Sequence, residues 1–148
     1  CDLDHFKRLN DGFGHPAGDA VLQTFAGILT RELRAYDVAC RYGGEEFALI
    51  LPRTTAEEAV GVCERIRRAL ELTSFKKYPE MHATASFGIA DRSEDGSHDP
   101  ARLIEAADKT LYHAKQNGRN RVHIYGPKGP VAPHIPTHNA EAQVRLAG

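Results

Sequence analysis

The chain has 148 residues, one domain's worth, with 41% hydrophobic and 26% charged residues. A formal charge of −1 lacks the basic excess of a nucleic-acid polymer binder. No apolar run approaches the roughly 18 residues that span a bilayer, and no signal-peptide pattern opens the chain.

Three cysteines, Cys1, Cys40 and Cys63, are widely spaced and form no Cys-x-x-Cys pair. That suggests neither a disulfide framework nor a zinc ribbon, and a reducing compartment fits best. Eight histidines show no metal-ligand spacing.

In chain order, Asp2-Leu3-Asp4 comes first. Asp-x-Asp at a strand end puts both carboxylates on one face, where hard oxygen ligands suit Mg²⁺. Asp4 is read first as the cap of a short helix over His5 to Leu9, and only second as a ligand. Asn10-Asp11-Gly12 reads as the turn that ends that helix. A longer helix is expected from Asp19 to Leu33, with Leu22, Phe25, Ala26, Leu29 and Leu33 as its apolar stripe.

Val38 to Tyr42 and Phe47 to Leu51 read as strands flanking Gly43-Gly44-Glu45-Glu46, a β-hairpin with two acids at its tip. The same composition also suits a plain solvated turn. Thr54 to Glu58 offers a capping box for a helix burying Ala59, Val62, Cys63, Ile66 and Leu70. Ala83 to Ala90 alternates like a half-buried strand. Asp99-Pro100 opens a last helix, with Leu103, Ile104, Ala107, Leu111 and Ala114 on its apolar side, and Gly118 stops it. Arg121 to Tyr125 is a final strand. From Gly126 to Gly148 Pro, Gly and His dominate, and this stretch reads as a disordered tail. Interleaved strands and helices with a central hairpin give an α+β domain, a largely antiparallel sheet flanked by helices.

Asp2-Leu3-Asp4-His5-Phe6-Lys7, Asn10-Asp11, Gly14-His15, Gly18-Asp19 and Gly43-Gly44-Glu45-Glu46-Phe47 together resemble the GGDEF family of diguanylate cyclases. Glu45 makes this the GGEEF variant. Ala107 to Lys115 and Gly118-Arg119-Asn120 look like that family's C-terminal signature. The resemblance runs from Cys1 to Tyr125 in one order throughout. It implies a palm-like fold and condensation of two GTP into cyclic di-GMP and two pyrophosphates, with Mg²⁺ (or Mn²⁺).

On that resemblance, Asp2, the Leu3 carbonyl and Glu45 are the metal ligands, and Glu45 and Glu46 are the catalytic acids. Whether Glu45 or the metal activates the attacking hydroxyl stays open, and Glu46 either assists a second metal or shapes the turn. The backbone N–H groups of His5 and Phe6, with Lys115 and Arg119, are the triphosphate donors. Basic residues at a helix C-terminus would equally suit its dipole. Asn10 and Asp19 are the guanine readers, though each also fits a local role, in a turn and as a helix cap. Arg34-Ala35-Tyr36-Asp37, with Arg65, resembles the family's inhibitory product site; the competing reading is a surface ion pair.

The resemblance implies catalysis by a homodimer in the cytoplasm. The chain opens directly on a motif, so it is expected to lack its domain's first helix and most of its first strand. A preceding sensory or receiver domain is expected too, through which a full-length protein could be membrane-anchored. The alternative function is a catalytically silent GGDEF module that senses cyclic di-GMP or GTP.

Overall fold

A computed structural model describes residues 1–92 and 99–133. The elements are β1 (Asp2–Leu3), α1 (Phe6–Phe13), α2 (His15–Glu32), β2 (Val38–Gly43), β3 (Glu46–Ile50), α3 (Ala56–Glu71), β4 (Ala85–Ile89), α4 (Pro100–Gln116), β5 (Val122–Gly126) and β6 (Gly129–Val131). They build one sheet in the order β2-β3-β1-β4-β5-β6. Its pairings are antiparallel except β4–β5, which α4 connects as a parallel crossover. The expected α+β architecture is the observed one.

The sheet's two faces follow from alternation along β4. The Phe87 ring lies 6.4 Å from the Phe25 ring of α2. Gly88 points the other way, and a Cβ built there would overlap the Leu111 amide nitrogen and Ala107 carbonyl oxygen of α4. So α2 covers one face and α4 the other, with the α4 backbone pressed on Gly88. Phe25, Phe87, Ile66, Leu70 and Leu3 are almost wholly buried. Each such side chain contributes about 1.5–3 kcal/mol relative to exposure.

β4 is therefore buried on both faces: Ala85, Ser86 and Phe87 are all within 1% of full burial. The half-buried reading failed because alternating small residues, Ser86 and Gly88, meet a helix instead of water. On the α4 face, His123 of β5 lies beside Gly88 in register. Its Nδ1 is 2.8 Å from the Nδ1 of His113 on α4.

Local signals place several ends as expected. Thr55 and Glu58 form the reciprocal capping box of α3. Asp99 caps α4, with Pro100 in its first turn. Gly118, at φ 110°, follows the α4 C-cap, and the Arg119 N–H reaches back to the Ala114 carbonyl.

Other boundaries differ. α1 continues through Asn10-Asp11-Gly12 to Phe13, because the chain turns only at Gly14, whose N–H bonds the Asn10 carbonyl. α2 starts at His15, so Asp19 lies a turn inside it and is not its cap. The buried stripe of α2 runs through Ala17, Val21 and Ile28, while Ala26 is exposed. Ile104 of α4 is exposed as well. Within the stretch read as a patternless tail, Gly129–Val131 pairs with β5. The rest of that tail, residues 134–148, lies outside the described residues.

Candidate active site

β1 is only two residues long, but it sits at the centre of the sheet. Asp2 is in register with Glu46 of β3 on one side and Ser86 of β4 on the other. Directly opposite residues share a face, so Asp2 looks toward α4. There Lys115, in the last turn of α4, brings its Nζ to 2.9 Å from Asp2 Oδ2. Leu3 turns to the opposite face and joins the core, while its N–H donates to the Glu45 carbonyl at 3.2 Å.

Around this pair opens a cleft of about 260 Å³. Asp2 and Leu3 line it from β1, and His5 and Phe6 from the turn into α1. Glu45 enters from the hairpin, and Lys115 and Arg119 from the end of α4. Lys7 and Arg8 also line it and were not singled out in the sequence. The signal for them was their place in the first turn after the acidic motif. Four basic side chains thus face two carboxylates, a balance suited to a polyanion plus a cation.

His5 occupies the N-cap of α1 in the left-handed region, φ 55°, and no side chain caps that end. The first-turn N–H groups are open to an anion. Among the described residues no three His, Cys, Asp or Glu side chains gather as a ready cage for a metal. A Mg²⁺ held by one or two carboxylates and substrate phosphates requires none. The donor set of Asp2, Glu45 and the Leu3 carbonyl fits that pattern. In the structure the Asp2 carboxylate is met by the Lys115 ammonium.

Asp4 corrects its expected role. It shares the Asp2 face, yet it neither caps α1 nor lines the cleft. Its Oδ1 accepts from the Ser86 hydroxyl at 2.7 Å, and its Oδ2 from the Thr84 hydroxyl at 2.8 Å and the Asn120 N–H at 2.9 Å. Glu46, exposed and opposite Asp2, does not line the cleft either.

Asn10 lies with Phe6 against Gly18, where only a glycine leaves room for its amide. Its Oδ1 is buried without a hydrogen-bond partner. Asp19 is exposed beside it on α2. Neither lines the cleft, and the link to it runs through Phe6.

Arg34 and Asp37 belong to a separate groove of about 610 Å³ between α2 and the β2–β3 hairpin. Leu22, Leu29 and Phe47 give it apolar walls. The Arg34 N–H donates to Asp37 Oδ2 at 2.9 Å, while Asp37 Oδ1 is buried without a partner. The Arg34 guanidinium donates instead to the Tyr36 hydroxyl at 3.1 Å. Arg65 does not line this groove; it pairs with Glu32 at 3.5 Å.

Residues 1–121 match the family described as "Diguanylate cyclase, GGDEF domain". The chain belongs to that family. It is 44% identical over 122 residues to Diguanylate cyclase A of Treponema denticola, covering 82% of this chain and 33% of that protein. It is 41% identical over 124 residues to the response regulator PleD of Caulobacter vibrioides, covering 82% and 27%. The chain therefore spans a third or less of these relatives' lengths. Among solved structures, the active GGEEF domain of a diguanylate cyclase from Vibrio cholerae aligns with a TM-score of 0.77 at 37% identity, covering 84% of this chain and 78% of that one. The GGDEF domain of DgcB from Caulobacter crescentus, in complex with c-di-GMP, aligns at 0.75 and 38%, covering 83% and 73%. These likenesses bear out the family and the palm-like fold expected from the motifs.

Proposed function

We propose that this chain is the catalytic domain of a diguanylate cyclase that condenses two GTP into cyclic di-GMP. The observation that carries the reading is the convergence of Asp2, Glu45, Lys115 and Arg119 on one cleft from three separated parts of the chain. The 3′-hydroxyl oxygen of one GTP bonds to the α-phosphorus of the other, and the bond to the departing pyrophosphate breaks. A second such step closes the ring.

Asp2, Glu45 and the Leu3 carbonyl would hold Mg²⁺ (or Mn²⁺), which neutralises phosphate charge and acidifies the attacking hydroxyl. The N–H groups of His5 and Phe6 bind phosphate oxygens at the α1 N-terminus. Lys115 and Arg119 add charged donors. Glu46 sits beside the hairpin tip as a supporting acid. Asn10 and Asp19 read guanine: an ionised carboxylate accepts from N1–H and the exocyclic amine, and adenine offers no N1–H.

One cleft with one set of donors serves one GTP, so two domains must face each other. The whole protein acts as a homodimer, in the cytoplasm, under an input domain. Arg34 and Asp37 form the product-inhibition site; Arg65, outside the groove and paired with Glu32 on α2, would contribute by turning from Glu32 to the bound product. Among the described residues no helix is long and apolar enough to cross a membrane.

The test is incubation of the whole protein with GTP and Mg²⁺, with cyclic di-GMP read by mass spectrometry. Product should form from GTP and not from ATP, and Glu45→Gln should abolish it. A folded protein that binds GTP or cyclic di-GMP yet forms no product would overturn the enzyme reading in favour of a silent sensor.

A further inference from the structure

Asp4 is a buried carboxylate that the proposed chemistry does not use, and its three hydrogen bonds reach distant parts of the chain. Thr84 and Ser86 belong to β4 and its approach, and Asn120 to the turn after α4. Asn120 is in turn held from α3. Its Oδ1 accepts from Arg67 Nη1 at 2.7 Å and its Nδ2 donates to Glu71 Oε1 at 2.6 Å. Asn120 and then Arg67 hold the Glu71 carboxyl below its ordinary value.

What this network joins is specific. The Asp4–His5 turn carries the His5 and Phe6 N–H groups. The Gly118–Asn120 turn carries Arg119. Both turns are backbone exceptions: His5, Arg119 and Asn120 have φ of 55°, 59° and 45°. Non-glycine residues in this region are uncommon and persist when their surroundings hold them there. One carboxylate, Asp4, accepts the N–H of the second turn while its own backbone leads into the first.

We infer that Asp4 and Asn120 are positioning residues: their hydrogen bond, together with the ties of the Asn120 side chain to Arg67 and Glu71, sets the spacing between the backbone phosphate donors at the start of α1 and the Arg119 side chain after α4. This rests on the GTP-binding reading above. It also gives the second acid of Asp2-Leu3-Asp4 a role distinct from metal binding.

The roles separate because an amide can replace Asp4 as a positioning group but not as a charge. In Asp4→Asn the carbonyl oxygen can accept from Asn120 and Thr84, while the NH₂ donates to the Ser86 hydroxyl. The experiment is calorimetric titration of the whole protein with a non-cyclisable GTP analogue and Mg²⁺. It is run well below each variant's melting temperature, so that a merely less stable fold leaves the affinity unmoved.

Asp4→Ala should weaken binding about tenfold or more, and Asp4→Asn should stay within about threefold of the unmodified protein. Equal loss in both variants would make Asp4 a charge or metal residue and overturn the inference, as would unchanged affinity in Asp4→Ala. Where Asp4→Ala does not fold, Asn120→Gly carries the test. It keeps the N–H and tolerates positive φ but cuts the ties to Arg67 and Glu71. Affinity should fall about threefold, and no change overturns the inference. If the unmodified protein binds no analogue, the GTP reading itself falls, and the inference with it.

Discussion

The cleft at the β1–α1 turn and the groove between α2 and the hairpin both gather charge, but they are built differently. Asp2 sits on the central strand, laddered on both sides, and already holds Lys115 at 2.9 Å. Arg34 and Asp37 sit in the link between α2 and the edge strand β2, whose residues are all exposed. There one buried Asp37 oxygen has no partner. The cleft's Asp2–Lys115 pair is fixed at the centre of the fold before any ligand arrives. The groove has apolar walls and one unmatched polar atom, Asp37 Oδ1, which suits a surface completed by what binds it. This difference fits the roles proposed for the two regions, chemistry and feedback.

The largest effect should come from the cleft. Asp2→Asn keeps the size of the side chain but removes a charge proposed to hold the cation. A bound metal supplies several kcal/mol of transition-state stabilisation, so turnover should fall by about a thousandfold. Steady-state rates over a Mg²⁺ titration measure it. Arg34→Ala should leave the rate without product unchanged. If it lowers that rate as far as Asp2→Asn does, the two regions are not functionally separate.

Next comes the packing behind the cleft. Gly88→Ala places a methyl against the backbone of α4 at Ala107 and Leu111. Overpacking of this kind costs about 1–3 kcal/mol, read from denaturant unfolding. Because α4 carries Lys115, GTP binding should weaken too, while cyclic di-GMP binding in the groove should not. Equal loss at both places would mean that the groove depends on α4.

A smaller effect belongs to the groove itself. Arg34→Ala should weaken cyclic di-GMP binding by about tenfold, the loss of one hydrogen bond from a charged donor. GTP binding should be spared. Calorimetry with each ligand measures both, and an unchanged affinity for cyclic di-GMP would remove Arg34 from a product site.

The two regions also differ in how far the sequence reveals them. The hairpin, the Thr55–Glu58 box and Asp99-Pro100 are written in adjacent residues, and spacing alone exposes them. Asp2 and Glu45 were legible as acids at a strand end and a hairpin tip, and the family motifs joined them to Lys115 and Arg119. Asp4 was not, because the groups that hold it lie 80, 82 and 116 residues away. No local pattern distinguishes a capping aspartate from one waiting for distant hydroxyls. The end of α1 was misplaced for a related reason. Asn10-Asp11-Gly12 has turn composition, but Asn10 packs on Gly18 of α2 and the Gly14 N–H closes the helix on the Asn10 carbonyl. β6 was hidden because Gly129-Pro130-Val131 is strand only by pairing with β5.

The smallest prediction concerns pH and again separates the two faces of the sheet. His123 is buried on the α4 face, and its pKa is lowered by desolvation, then by His113 and Arg121. His113 faces it from α4, and Arg121 comes from the entry to β5. Beside it in register, β4 contributes the uncharged Gly88, and β6 consists of the uncharged Gly129, Pro130 and Val131. The Nδ1–Nδ1 contact needs one nitrogen to donate and the other to accept, so it does not survive protonation of both rings. A folded pKa below the unfolded one means that the unfolded chain binds the proton more readily. Stability is then complete above the ordinary histidine value of about 6.5 and is lost as pH falls from there through the lowered folded value. Melting curves across that window should show the loss, and His123→Phe should flatten it. The slope in that window should not change with Arg34→Ala, whose groove lies on the opposite face. If His123→Phe keeps the full slope, the titrating group lies elsewhere and the histidine pair is a packing contact only.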